Sequence, residues 1–225
     1  MEAVIIFLAI LLFSVVIHEL AHGYMAYWLG DPTAKLAGRL SANPIVHIDP
    51  LGSIIVPALM VLSTGAAASA GLGQMFAIGW AKPVPYNPYN LTDQKWGEAK
   101  IAFAGPAANL ILATVFAGVL ALAPVLGLPS TFAELAIQVI YLNVFLALFN
   151  LLPLPPLDGS KILPPFLGMI SYNLMFQYAR FRGILEQNFF LAFIIIIFAV
   201  IYVFSAPLQA ATFGVTMFLI ELFQF

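Results

Sequence analysis

Apolar residues run almost unbroken through positions 1–30, 51–72, 98–124, 131–152, 189–205 and 207–225, with polar residues gathered between them. About 20 such residues, each rising about 1.5 Å, cross the hydrocarbon core of a bilayer as a helix. The pattern therefore predicts about five to six membrane helices. Barrel strands alternate and are roughly half as long, and a lipid-facing helix satisfies its own backbone hydrogen bonds. Two stretches break the pattern. Residues 33–49 are mixed and partly alternating, with turn signals at Gly38, Asn43-Pro44 and Asp49-Pro50; Phe76 to Pro85 holds Gly79, Pro83 and Pro85. Both predict short extended segments, which at membrane depth must be covered by protein or line a wet cavity. The fold class expected is an all-α polytopic membrane protein with a short re-entrant β segment. No linker, repeat or low-complexity stretch divides residues 1–225, which read as a single domain.

Composition sharpens this picture. With 63% hydrophobic residues, 8% charged residues and a mean hydropathy of +1.03, the chain lacks the polar residues to cover a water-soluble globule. The first run is expected to stay in the protein and not to be removed as a signal peptide, because it opens with Glu2 and holds His18, Glu19 and His22. Cysteine is absent, which excludes disulfides, thiolate metal sites and cysteine nucleophiles. A net charge of -2 with eight scattered basic residues argues against nucleic acid as a partner.

The basic residues also orient the chain. They fall in three stretches, Lys35 and Arg39, then Lys82, Lys95 and Lys100, then Lys161, Arg180 and Arg182, and the positive-inside rule makes all three cytoplasmic. The loop near 124–133 has no basic residue and reads as external. Residues 51–72, flanked on both sides by basic stretches, then make no net crossing and read as a re-entrant or hairpin element, which Pro57, Gly65, Gly71 and Gly73 permit. The alternative is an ordinary span with one basic loop breaking the rule.

His18-Glu19-Leu20-Ala21-His22 places two imidazoles at i and i+4 on one helix face. Two nitrogens at that spacing can reach one zinc, and Glu19, one position along, flanks the metal as a general base would. A carboxylate inside the bilayer costs at least about 2.5 kcal/mol, so residues of this kind that persist there are usually functional. A catalytic zinc takes three protein ligands; the candidates for the third are Asp158, His47 and Asp49. Asp158 is the best of them, because Pro153, Pro155 and Pro156 stop a helix and leave an irregular stretch carrying its carboxylate. Depth agrees. His22 lies eight residues before Gly30, about 12 Å from the inner end of its helix, and Asp158 follows the break of an inward helix. His47 is open to three readings, a transient ligand, a plug over the site, or a hydrogen-bonded loop histidine, and the last is preferred. Asn109 reads as a helix-to-helix hydrogen bonder and Gly105-Pro106 as a packing feature.

The chain resembles the site-2 protease family of intramembrane zinc metalloproteases in His18 to His22, in Phe103-Ala-Gly105-Pro106-Ala-Ala-Asn109 and in Asn150 to Gly159. Asn43 to Gly52 and Gly79 to Pro85 further resemble a small prokaryotic branch of that family. The resemblance implies one Zn2+ held by His18, His22 and Asp158, with Glu19 as the base and Asn150 positioning the reacting carbonyl. It also implies substrates that are transmembrane proteins, and a multi-pass protein of a prokaryotic cell membrane with its site in the cytoplasmic half. Many members carry PDZ or CBS domains, and neither is read in these residues. The rival classes are an ion- or proton-coupled transporter, with the ionisable groups as a relay, and a catalytically inactive scaffold that binds helices. An unwound substrate is expected to pair with a strand edge in residues 33–49.

Overall fold

The apolar runs fold as helices. In the computed structural model, which describes residues 2–47 and 82–223, the long helices are α1 (Glu2–Trp28), α3 (Gly97–Leu122) and α4 (Ser130–Asn150). Shorter ones are α2 (Thr33–Leu36), α5 (Gly159–Ile170) and α6 (Tyr172–Gln187). The chain ends in α7 (Phe189–Ala199), a π-helical turn (Val200–Phe204) and α8 (Ser205–Leu222). Among the described residues, four helical stretches are long and apolar enough to cross a membrane: Ile5–Trp28, Gly97–Leu122, Ser130–Asn150 and Phe190–Leu222. With the family established below, they make this an integral membrane protein. The expected re-entrant element at 51–72, and residues 48–50 and 73–81 around it, lie outside the described residues.

Two expectations are corrected. The described residues contain no strand: where 33–49 was expected to be extended, α2 and a 3-10 turn at Pro44–His47 occupy residues 33–36 and 44–47. Local side chains take the backbone donors there. Ser41 Oγ accepts the Asn43 N–H at 3.2 Å and Asn43 Oδ1 accepts the Ile45 N–H at 3.1 Å, which offers the backbone an alternative to a sheet ladder. The second correction is at the other end of the chain, where two apolar runs merge into one 33-residue helical stretch. Pro207 cannot donate to Val203 and its ring crowds that carbonyl. The widened π turn at 200–204 sits at this point and absorbs the defect without breaking the helix.

α3 lies between α1 and α4, and α4 packs on α8. Ala113 and Ala117 of α3 are fully buried against Ile140 and Val144 of α4 and Leu219 of α8. Small residues let helix backbones approach where no hydrophobic effect drives association. The end of α1 is closed by Gly30, at φ 100°: the Asp31 N–H reaches the Ala26 carbonyl at 2.9 Å and the Gly30 N–H reaches Tyr27 at 3.1 Å. This is a Schellman cap, and glycine is its natural left-handed residue.

Asp31, fully buried just past the cap, then ties down the segment that leads into α3. Its carboxylate accepts from Thr33 Oγ1 (2.6 Å), Asn90 Nδ2 (2.8 Å) and the Asn87 N–H (2.6 Å). Burial alone would raise its pKa, but the hydrogen bonds from Thr33, Asn90 and Asn87 outweigh it and hold the carboxyl below the usual range. Residues 82–87, irregular in conformation, are held at their start by the Lys82 N–H on the His47 carbonyl (3.0 Å) and by Arg39, which donates to the Lys82 carbonyl. α6 closes the same end of the molecule: Arg182 pairs with Glu98 at 3.3 Å, and Tyr178 OH donates to the Pro153 carbonyl at 3.0 Å.

Candidate metal centre

Two elements far apart in sequence deliver three ligand atoms to one point. His18 and His22 stand one turn apart on α1, and their Nε2 atoms are 3.0 Å apart. Asp158, directly after Leu157 and before α5, brings its Oδ2 to 3.2 Å from His18 Nε2 and 3.3 Å from His22 Nε2. Among the described residues they form the one group of three His, Cys, Asp or Glu side chains able to share a metal. With zinc bonds of about 2.0–2.1 Å, the edges of a tetrahedral ligand set are about 3.3–3.4 Å, close to the edges of this triangle.

The protons point the same way. His22 Nδ1 lies 2.6 Å from the Ile101 backbone carbonyl, which can only accept, so Nδ1 carries a proton and, in the neutral ring that a metal requires, Nε2 bears the lone pair. His18 Nδ1 lies 2.6 Å from Asn109 Oδ1, with the same consequence. With both rings neutral, two lone pairs face the Asp158 carboxylate, whose Oδ2 is buried with no hydrogen-bond partner. Three acceptors converging without a donor call for a cation between them. The side chains keep 10–13% exposure, so the point is enclosed but reachable by water.

The surrounding backbone is built to fit. A Cβ on Gly105 would lie 2.5 Å from His22 Nε2 and 2.6 Å from His18 Nε2, so only glycine leaves the imidazoles their places. A Cβ on Gly159 would run into the carbonyls of Leu151 and Leu152, so the residue after Asp158 packs directly on the end of α4. Leu157, before Asp158, packs on Ile196 of α7 and Val200 of the π turn.

Glu19 stands beside the triad, and its Oε2 accepts the Val84 N–H at 3.0 Å. Pro83 and Pro85 have no N–H, so Val84 supplies the one amide donor of that Pro-Val-Pro stretch. Asn150, at the last position of α4, donates Nδ2 to the Leu146 carbonyl of its own helix at 2.9 Å. His47 is not brought to the metal group. It is buried, and its Nε2 donates to the Ser41 carbonyl at 2.8 Å, the hydrogen-bonded loop histidine preferred above. Asp49 lies outside the described residues.

Sequence reasoning missed three contributors: the Ile101 carbonyl, the vacant side of Gly105, and the second partner of Asn109. Asn109 does bond to a neighbouring helix, as expected, but its oxygen goes to a metal-facing histidine. One signal was available. Gly105 and Asn109 are four residues apart and share a helix face, so a glycine and a polar amide had to look at the same neighbour.

A model of peptidase family M50 matches residues 6–140. The chain is 40% identical over 159 residues to a protein of Bacillus subtilis named "Putative zinc metalloprotease YwhC", covering 68% of this chain and 65% of that protein. It is 29% identical over 165 residues to "Putative zinc metalloprotease Rip2" of Mycolicibacterium smegmatis, covering 70% of this chain and 55% of that protein. The chain thus spans somewhat under two thirds of the length of these relatives. No solved structure matches it. The matched residues include both histidines and the glycine and asparagine that support them, and the chain belongs to peptidase family M50, the site-2 protease family.

Proposed function

We propose that this protein is a zinc metalloendopeptidase that hydrolyses peptide bonds within or next to transmembrane segments of other membrane proteins. The observation that carries this reading is the convergence of two Nε2 lone pairs and an unpartnered buried carboxylate oxygen beside Glu19. His18, His22 and Asp158 would hold the metal. A zinc ion held there would supply Lewis acidity and would lower the pKa of a bound water to about 7. Glu19 takes a proton from the attacking water and returns it to the leaving amine. The Val84 N–H engages one carboxylate oxygen and leaves the other to receive that proton. Asn150 uses one amide hydrogen on Leu146, and the second serves the substrate carbonyl.

The test uses purified protein in detergent, with bound zinc and cleavage of a panel of membrane-segment substrates as readouts. Glu19→Gln keeps its zinc and loses cleavage by at least about 100-fold, the usual contribution of a positioned base. Asp158→Ala loses zinc as well. Cleavage by Glu19→Gln at the wild-type rate ends the reading, and metal-independent ion flux through vesicles turns it toward a transporter.

We read the site as lying in the cytoplasmic half of a prokaryotic cell membrane, supported by Lys95 and Lys100 at the start of α3, by Arg180 and Arg182 within α6, and by the organisms of the relatives. The absence of cysteine makes this easy to check. A single cysteine at exposed Ser130 reacts with an impermeant maleimide from outside intact cells, and one at exposed Lys95 reacts only after lysis. The opposite labelling inverts the topology.

A further inference from the structure

A buried chain of hydrogen bonds runs away from the metal group across three helices. His18 Nδ1 meets Asn109 Oδ1 at 2.6 Å; Asn109 Nδ2 meets Asn143 Oδ1 at 2.8 Å; Asn143 Nδ2 meets Ser14 Oγ and the Val139 carbonyl, both at 2.9 Å. Ser14, Asn109 and Asn143 are fully buried and His18 nearly so. Helix packing alone does not need so complete a network. A buried amide inside a membrane protein is tolerated only when satisfied, and apolar residues would pack α1, α3 and α4 as well.

The chain has a direction, and its far end sets it. The Val139 backbone carbonyl accepts and cannot donate, so the side of Asn143 facing it must be the amide nitrogen. The Asn143 oxygen then faces Asn109 and must be met by a donor, which turns the Asn109 nitrogen toward it. The Ser14 backbone carbonyl, 3.5 Å from the same nitrogen, favours this orientation too. That leaves the Asn109 oxygen for His18, which must put its proton on Nδ1 and keep Nε2 bare. His22 gets the same tautomer in one step, from the Ile101 carbonyl. His18 gets it in three, from a carbonyl on another helix.

We propose that Asn143 is a positioning residue of the metal centre: by reading the polarity of the Val139 carbonyl it fixes the amide of Asn109, and through it the tautomer of His18. Without Asn143 only the long 3.5 Å contact to the Ser14 carbonyl is left to orient the Asn109 amide, and it is too weak to enforce one orientation. Once flipped, it offers His18 an N–H, moves the imidazole proton to Nε2 and blocks the metal. This rests on the assignment of His18, His22 and Asp158 as a metal centre.

Two readouts besides activity test it. Zinc affinity is measured by chelator competition, and the tautomers of the three histidines are read from 15N-histidine NMR of metal-free protein. Asn143→Leu lowers zinc affinity by about 10- to 100-fold, as for other groups that orient a metal-bound histidine, and gives His18 a mixture of tautomers. His22 stays Nδ1-protonated in the same sample, which separates the effect from general loosening. Asn143→Thr restores most of the affinity and the single tautomer. Its hydroxyl can bond the carbonyl four residues back, as Thr114 and Thr212 do in this fold at 2.8 and 2.7 Å, and still accept from Asn109. It also serves if the leucine variant fails to fold. Wild-type affinity and an unmixed His18 tautomer in Asn143→Leu overturn the proposal, as does Asn143→Thr giving a loss as large as leucine. If wild-type protein binds no zinc, the metal reading fails alone, and the NMR comparison still decides whether Asn143 sets the tautomer.

Discussion

Gly105→Ala is expected to leave a folded protein that no longer holds zinc. In the interior of a helix, alanine is normally the better residue by about 1 kcal/mol, so α3 itself gains from the change. The new methyl, however, would stand 2.5–2.6 Å from both metal-facing nitrogens, where ordinary carbon contacts begin near 3.5 Å. One or both imidazoles must retreat by most of an ångström, while a zinc site tolerates only about 0.2 Å in its bond lengths. A fall in zinc affinity of at least about 100-fold follows, at the upper end of what loss of one supporting contact does. Chelator competition and a thermal melt of metal-free protein check both halves. Zinc bound with wild-type affinity would show that the two rings do not occupy the places described.

Gly159→Ala should also lose the metal, by a different route and with a different signature. Here the methyl meets main-chain carbonyls of Leu151 and Leu152 and not the tips of side chains. Backbone at the end of α4 cannot swing aside, so the whole Pro-rich turn must shift and take Asp158 with it. Overpacking of this kind typically costs about 1–3 kcal/mol, and it adds to the displacement of a ligand. Zinc affinity and the metal-free melting temperature are expected to fall together in this variant, whereas in Gly105→Ala only the first falls. Equal melting temperatures for Gly159→Ala and wild type would remove the steric argument.

The contrast between these glycines bears on what a sequence can disclose. The two histidines were legible because their relation is local: four residues on a helix fix the geometry whatever surrounds it. Asp158 was legible because prolines announce where a helix stops. Gly105 and Asn109 carried a family motif, yet their partners are some 90 residues away in the chain, and no periodicity encodes a pairing at that distance. The extended reading of 33–49 failed over its described part, residues 33–47, for a nearer reason, since Ser41 and Asn43 satisfy backbone donors that a strand would have presented to a neighbour. The two last apolar runs became one because a π turn absorbs what Pro207 would otherwise break.

That uninterrupted final rod has a mechanical meaning. Its 33 residues extend about 50 Å, well beyond the roughly 30 Å of hydrocarbon in an average bilayer, so it must lean or protrude, at an inclination set by its packing on α3 and α4. Ile196 and Val200 press on the leucine beside the carboxylate ligand. The over-long rod therefore bears on the chain one residue from the chemistry.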